Sequence, residues 1–203
     1  MAHRSYRLGR RGEAAEETRR RIVDATFALH AEQGVAATTM THIAERAGVS
    51  IGTVYHHFPT YDDAISACGR HSQEAAPPPS DAIFAGLPST ERRVRRLADA
   101  IFGYYERLPG FERARRDRDR FPPLHAFFAE EERRRADLAA KALRARGDND
   151  SRPAMIAALL DIAVYHGLRR TGFTTAAAAE EIADVINAWL SGRGRPRRTG
   201  IRG

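Results

Sequence analysis

The side chains best placed to do chemistry in this chain lie between Thr38 and Ile65, in TTMTHIAERAGVSIGTVYHHFPTYDDAI. Hydroxyls and imidazoles gather there: Thr39, Thr41, His42, Ser50, Thr53, Tyr55, His56 and His57, with Ile51 and Gly52 among them. They do not compose an enzyme. The chain has no phosphate loop and no nucleophile elbow, and the adjacent His56 and His57 would point about 100° apart on a helix, poor geometry for one metal ion. No catalytic residue, metal or cofactor is therefore expected. Hydroxyls and imidazoles on a short helix suit phosphate oxygens, assisted by the helix N-terminus. Ile51 and Gly52 can approach thymine methyls, and His56 can donate to a guanine or a phosphate. A tyrosine or histidine on a small helix also serves as a packing or capping residue, and both readings stay open for Thr53, Tyr55, His56 and His57.

Two short helices must position these groups. Thr39 is a good N-cap for the first, in which Ile43, Ala44 and Ala47 face inward while Thr41, His42, Glu45 and Arg46 face out. Ser50 caps the second, Ile51 to His57, anchored by Val54 and Phe58. Between them Gly48-Val49-Ser50 is too short a turn to let the second helix run beside the first, and Gly48 allows the positive φ such a turn needs. The pair must cross steeply, as in the helix-turn-helix that sets one helix in the DNA major groove. A preceding helix, about Thr18 to Gln33, carries an apolar stripe of Ile22, Thr26 and Leu29 and stops at Gly34. Thr60 opens a fourth helix with Asp63 as its capping-box acid.

The net charge of +7 on 203 residues is unevenly placed. Arg4, Arg7, Arg10 and Arg11 lie in residues 1–12, and Arg193, Arg195, Arg197, Arg198 and Arg202 in residues 191–203, without an acid in either stretch. Removing those nine charges from +7 leaves residues 13–190 at −2. The basic character thus belongs to two ends, expected as a flexible arm (1–15) and a disordered tail (191–203). Such ends suit polyanions, although basic tails also simply aid solubility. No apolar run approaches the roughly 20 residues that span a bilayer. Nor does an apolar segment follow the basic N-terminus as in a secretory signal. The single cysteine, Cys68, has no partner within the chain, and a reducing cytoplasm is the expected setting.

No period-2 alternation survives inspection, so the expected fold class is all-α, with roughly nine helices. Pro77-Pro78-Pro79 ends the fourth helix and marks the expected boundary between an N-terminal unit (16–76) and a larger helical one (77–190). The stretch 112–120, alternating arginines with acids, reads as a solvated helix face. A helix over Ala154 to Arg170 is apolar nearly all round apart from its ends and Asp161. The last helix, Thr175 to Leu190, sets Ala178, Ile182, Val185, Ile186 and Trp189 on one face.

Segment Thr18–Ile65 resembles the N-terminal domain of the TetR (tetracycline-repressor-like) family of bacterial transcriptional regulators. The resemblance rests on Glu32-Gln33-Gly34, Thr38-Thr39-Met40, Ile43-Ala44-Glu45-Arg46-Ala47-Gly48-Val49-Ser50 and Gly52-Thr53-Val54-Tyr55-His56-His57-Phe58. It implies a three-helix DNA-binding domain followed by a helical effector-binding and dimerisation domain. By the same resemblance Thr53 and Tyr55 touch phosphates, while Thr41, His42, Ile51, Gly52 and His56 face the bases or lie near them. His57 matches the usual histidine before Phe58. One departure is Tyr61, where the family commonly has lysine; its hydroxyl can still meet a phosphate, without the charge-assisted bond.

Beyond Ala76 the resemblance is one of layout. It implies a homodimer through the final two helices, for which Ile156, Leu160, Ile182, Val185, Ile186 and Trp189 supply the apolar contact. The competing reading packs both faces inside one subunit. An apolar or aromatic effector would draw on Phe102, Tyr105, Phe121, His125, Phe128, Tyr165 and His166, most of which serve equally well as core. The expected function is a sequence-specific regulator of a pseudo-palindromic operator in double-stranded DNA, a repressor released by a small molecule. The rivals are an enzyme, a redox sensor built on Cys68, and an architectural DNA binder working through its basic ends.

Overall fold

Ten α-helices and two short 3-10 turns, with no strand, occur among the described residues of the computed structural model. These are residues 2–144 and 150–192, with backbone alone for 2–11. The basic segment from 193 onward lies outside them, as does the Gly147-Asp148-Asn149 break. The chain divides into two units, Met1–Ala75 with Arg113–Phe128, and Ala76–Glu112 with Ala129–Gly203. Residues 113–128 thus group with the first unit, which the proline run alone does not reveal.

In the first unit α1 (Ala2–Gln33) begins well ahead of Thr18, so residues 2–15, expected as a loose arm, are helix. Four arginines and three alanines, good helix formers, outweigh Gly9 and Gly12 in that stretch, and no Pro interrupts it. The apolar stripe of α1 packs on α2 (Met40–Ala47), α3 (Ile51–His57) and α4 (Tyr61–Ala75). Their shared core is Ile22, Val23, Leu29, Met40, Ile43, Val54 and Phe58 with five alanines. Ala44, Ala47, Ala64 and Ala67 let the short helices approach closely, which a core this small requires. The Thr26 hydroxyl, buried in the stripe, donates back to Ile22 O at 2.7 Å and so is not stranded.

The turn chemistry holds in detail. Thr39 Oγ1 accepts from His42 N, and Ser50 Oγ from Thr53 N at 3.1 Å. Gly48 sits at φ +65° while its N–H reaches Glu45 O and Val49 N–H reaches Ala44 O, a Schellman stop that ends α2. Thr60 and Asp63 cap each other reciprocally, with Thr60 N to Asp63 Oδ2 at 2.9 Å and Asp63 N to Thr60 Oγ1 at 3.1 Å.

In the second unit α5 (Thr90–Glu106), capped by Ser89, lies along α10 (Thr175–Ser191). Its buried face runs Val94, Leu97, Ala98, Ile101, Phe102 and Tyr105. The long helix expected over Ala154–Arg170 is two, α8 (Arg152–Leu159) and α9 (Ile162–Arg170), broken at Leu160-Asp161. Asp161 explains the break. Aspartate disfavours helix interiors and favours N-caps, and here its Oδ1 accepts Ala163 N at 2.9 Å while Oδ2 holds Arg135 at 3.0 Å. Arg135 belongs to α7 (Pro122–Leu143) and also donates to Ala157 O at 2.8 Å and Tyr105 Oη at 2.9 Å. These partners offset the hydration that a guanidinium this buried gives up.

Candidate nucleic-acid interface

Helix α3 is two-sided. Val54 is fully buried and Phe58 nearly so, while on the other side Ile51 is 41% exposed and Tyr55 50% exposed. Gly52 and His56 are exposed too, and Thr53 and His57 half-buried. Spacing of four residues puts Ile51 with Tyr55 and Gly52 with His56 on neighbouring stripes of one outer surface. Thr41 and His42 of α2 are exposed as well. This surface carries both an apolar component and hydroxyl and imidazole donors, the mixture that base edges and phosphates require.

Some of these side chains are already engaged. Ser50 Oγ and Thr53 Oγ1 lie 2.8 Å apart, which fixes the threonine rotamer and leaves its second lone pair or its proton for an outside group. His42 Nδ1 is 3.3 Å from Gln33 Nε2 of α1. Arg46 forks onto Glu32 at 2.9 and 2.6 Å, so its charge is matched within the protein. The His56 and His57 rings meet edge to face at 5.4 Å. Burial first, then the charges of His56 and Arg19, lower the His57 pKa below the ordinary imidazole value. At neutral pH His57 is an uncharged single donor. Nothing acidic occurs in Ile51–His57 to repel a polyanion. A Cβ added at Gly52 would meet only Ser50 Oγ, at 3.8 Å, so the protein itself has room for a larger residue there. A glycine at an open, exposed position of a recognition-type helix suits the close approach of something external.

Tyr61 departs from expectation. Its hydroxyl donates inward to Val35 O at 2.6 Å and lies 2.9 Å from His30 Nε2, while its ring stands edge to face on Phe121 at 5.6 Å. Placed in the first turn of α4, the ring falls into the gap under the α1–α2 connection, where burial wins over solvent. The phosphate role is therefore withdrawn. Nor is the 112–120 stretch merely a solvated face. Arg113 donates to Ala31 O at 2.5 Å and to Glu32 O, and Asp117 Oδ2 accepts Ala36 N at 2.9 Å. These two residues satisfy the end of α1 and the turn leading to α2, where orphan helix-end groups need partners. No local sequence signal pairs positions so far apart.

The aromatic set expected around an effector is divided. Phe102, Tyr105 and Tyr165 form a buried cluster in the second unit, with ring separations of 5.1 to 6.4 Å. His166 is half-buried beside them in sequence, 3.6 Å from Glu112. Phe121, His125 and Phe128 belong to the first unit instead. Phe121 packs on Tyr61, Phe128 is buried against Phe127, and His125 is exposed, 3.5 Å from Asp119. Helix α7 begins at Pro122, and the chain through its first turns belongs to the first unit, which takes all three away from the expected set.

The expected dimer contact changes similarly. Ile156, Leu160 and Ile186 are fully buried and Ile182 is 8% exposed, so all four are spent inside the protomer. Val185 is 54% exposed, Met155 50% exposed, and Trp189 half-buried. Periodicity finds the apolar faces, but it does not say which stripe is covered by the chain's own helices. Cys68 is buried, which pushes its thiol up to about 12 and leaves almost no thiolate at neutral pH. No described helix is long and apolar enough to cross a membrane.

Residues 22–65 match the family model for bacterial regulatory proteins of the tetR family. Among curated relatives, the HTH-type transcriptional repressor KstR of Mycolicibacterium smegmatis is 40% identical over 75 residues, 36% of this chain and 37% of that protein. The HTH-type transcriptional regulator AcrR of Shigella flexneri is 42% identical over 52 residues, 26% of this chain and 24% of that protein. The chain thus aligns with little more than a third of the length of such relatives. Solved structures align across most of the chain. A putative transcriptional regulator from Pseudomonas aeruginosa PAO1 superposes with TM-score 0.67 at 18% identity, covering 87% of this chain and 90% of that one. The multidrug binding protein EbrR complexed with imidazole does so with TM-score 0.60 at 20% identity, covering 84% and 88%. At such identities the likeness extends the shared fold, and the fold alone, into the second unit. The segment that builds the α1–α3 core and the outward face of α3 is thus the part of the chain that matches the tetR family model of bacterial regulatory proteins.

Proposed function

We propose that the protein is a homodimeric, sequence-specific DNA-binding transcriptional repressor whose hold on a pseudo-palindromic operator is released by a small-molecule effector. The observation that carries the reading is the outer surface of α3, where Ile51, Gly52, Tyr55 and His56 project from a helix anchored behind by Val54 and Phe58. Thr41 and His42 extend it along α2. In this reading Tyr55 and Thr53 bond phosphates and set the register, and Ile51, Gly52 and His56 meet base edges. His57 and the cap residues Thr39 and Ser50 hold the pair of helices in place. A relative named as a repressor matches 36% of the chain, which favours repression over activation. A dimer presents two such surfaces to two half-sites, and the exposed Met155 and Val185 with the half-buried Trp189, on α8 and α10, are the surface offered for it. EbrR is described with imidazole and with malachite green, and a regulator from Saccharomonospora viridis with choline, which supports a small-molecule effector here. The aromatic cluster of Phe102, Tyr105 and Tyr165, with His166, is the region assigned to it.

Selection of bound sequences from a random duplex library tests this directly. The expected outcome is one pseudo-palindrome preferred by about a thousandfold or more over random DNA. A flat preference that falls with salt would instead mark a binder acting through its basic ends and would remove the repressor reading.

A further inference from the structure

Positive charge in the second unit outruns its counter-charge at one place. An open hollow of about 760 Å³ is bounded by the 3-10 turn Asp81–Phe84, by Arg93 of α5 and by Lys141 and Arg144 at the end of α7. A second hollow of about 460 Å³ adjoins it, sharing Phe84, Arg93 and Arg144 and adding the apolar Leu87. Three cations therefore face one carboxylate, and Lys141 Nζ, 2.8 Å from Asp81, already holds that carboxylate. Among the described residues neither Arg93 nor Arg144 has an acid partner.

Arg93 is held firmly without being used up. Its guanidinium stacks 4.5 Å over the Phe84 ring and donates from Nη2 to Lys141 O at 2.7 Å, capping α7. Its Nε is enclosed and has no hydrogen-bond partner, so capping alone leaves a donor unmatched. Arg144 is exposed and sits at φ +52°, a backbone conformation that a non-glycine residue adopts at a cost. Two guanidiniums lining one hollow, one of them held against an aromatic ring and both beside an apolar wall, describe a receptor for a particular chemistry. Arginine forks match carboxylates bidentately, and the apolar wall excludes a bare inorganic ion as the best fit.

We propose that this hollow binds a small organic anion, a carboxylate on an apolar body, with Arg93 and Arg144 taking the head group and Phe84 and Leu87 the tail. Burial, and then the charge of Arg144, lowers the Arg93 pKa, and a bound carboxylate would offset the repulsion between the two guanidiniums. This place is separate from the Phe102, Tyr105 and Tyr165 cluster, and the inference stands whether or not the protein represses anything.

The test is titration calorimetry of the full chain without DNA, using octanoate, 1-octanol and inorganic phosphate as probes. Octanoate should bind, with octanol and phosphate each about tenfold weaker or worse, and Arg144→Gln should weaken octanoate by about tenfold. Arg93→Gln should do the same, and Arg93→Lys should restore only part because the fork is lost. Arg144 is exposed, so its variant keeps the test decisive even if Arg93→Gln unfolds. Octanoate binding unchanged in the Arg144→Gln protein, absent from the wild type, or matched by phosphate would each overturn the proposal. Because no operator enters the measurement, its failure leaves the DNA-binding reading intact, and the library selection fails or succeeds independently.

Discussion

Replacing Tyr61 by phenylalanine removes one oxygen atom and tests whether that hydroxyl faces inward or toward DNA. The phenol has a single proton, and at 2.6 Å Val35 O accepts it. His30 Nε2, 2.9 Å from the same oxygen, must then be the donor in that second contact, so three groups form a chain from His30 through Tyr61 to Val35. Both ends are enclosed, Val35 at 1% and His30 at 7% exposure. Phenylalanine keeps the edge-to-face contact with Phe121, so the packing contribution is unchanged. What is lost is two hydrogen bonds, and what is created is a buried imidazole N–H without its partner, while Val35 O keeps only its bond from Thr38 N at 3.2 Å. Together these destabilise the first unit by about 2–4 kcal/mol.

With a urea dependence of about 2 kcal/mol per molar, the circular-dichroism midpoint should fall by roughly 1–2 M. The single tryptophan, Trp189, lies in the second unit, so its fluorescence reads that unit separately. Combining Tyr61→Phe with His30→Leu should show a coupling of about 1–2 kcal/mol, since each change removes the same contact. The salt dependence of operator binding should stay as in the wild type, because no phosphate contact has been removed. A variant with wild-type stability and a shallower salt slope would refute the inward assignment and return Tyr61 to the interface.

The His30 environment adds a pH dependence. Burial lowers its pKa from 6.5 to about 4, with Asp117 acting weakly in the other direction. Between those values the unfolded chain binds more protons than the folded one. Stability contributed by neutral His30 is thus complete above about pH 6.5 and is lost as pH falls toward 4, by on the order of 3 kcal/mol in all. Acid unfolding of His30→Leu should lack this component, and an unchanged profile would remove His30 as its source. Tyr55→Phe should weaken operator binding about fivefold, the value of one phosphate hydrogen bond, without changing stability; equal affinity on a gel-shift titration would take Tyr55 out of the contact set. Asp161→Ala should cost about 3 kcal/mol by taking the Asp161 carboxylate from the buried Arg135 and uncapping α9, measured by urea unfolding, and a loss under 1 kcal/mol would contradict the role given to that pair. Val185→Arg should yield monomers in sedimentation, whereas an undiminished mass would place the dimer surface elsewhere.

The nature of the reading unit was legible from local chemistry. Thr39, Ser50, Gly48 and the Thr60–Asp63 box act over three to five residues, and such short-range hydrogen bonds depend on little beyond their neighbours. The same holds for the apolar stripes of α1 and α10, since helical period translates directly into a face. Three matters were decided by tertiary structure, all for one reason: they depend on which distant surface arrives to cover a group. Tyr61 could face a phosphate or a core until His30, Val35 and Phe121 closed around it. Ile156, Leu160, Ile182 and Ile186 look from periodicity like a surface for a partner, yet neighbouring helices cover them and leave Val185 and Met155 outside. Arg113 and Asp117 read as solvated charges because nothing within their own turn needs them, and the α1 terminus they satisfy lies some eighty positions earlier. Sequence assigns each residue its preferred kind of neighbour, and only the folded path supplies that neighbour.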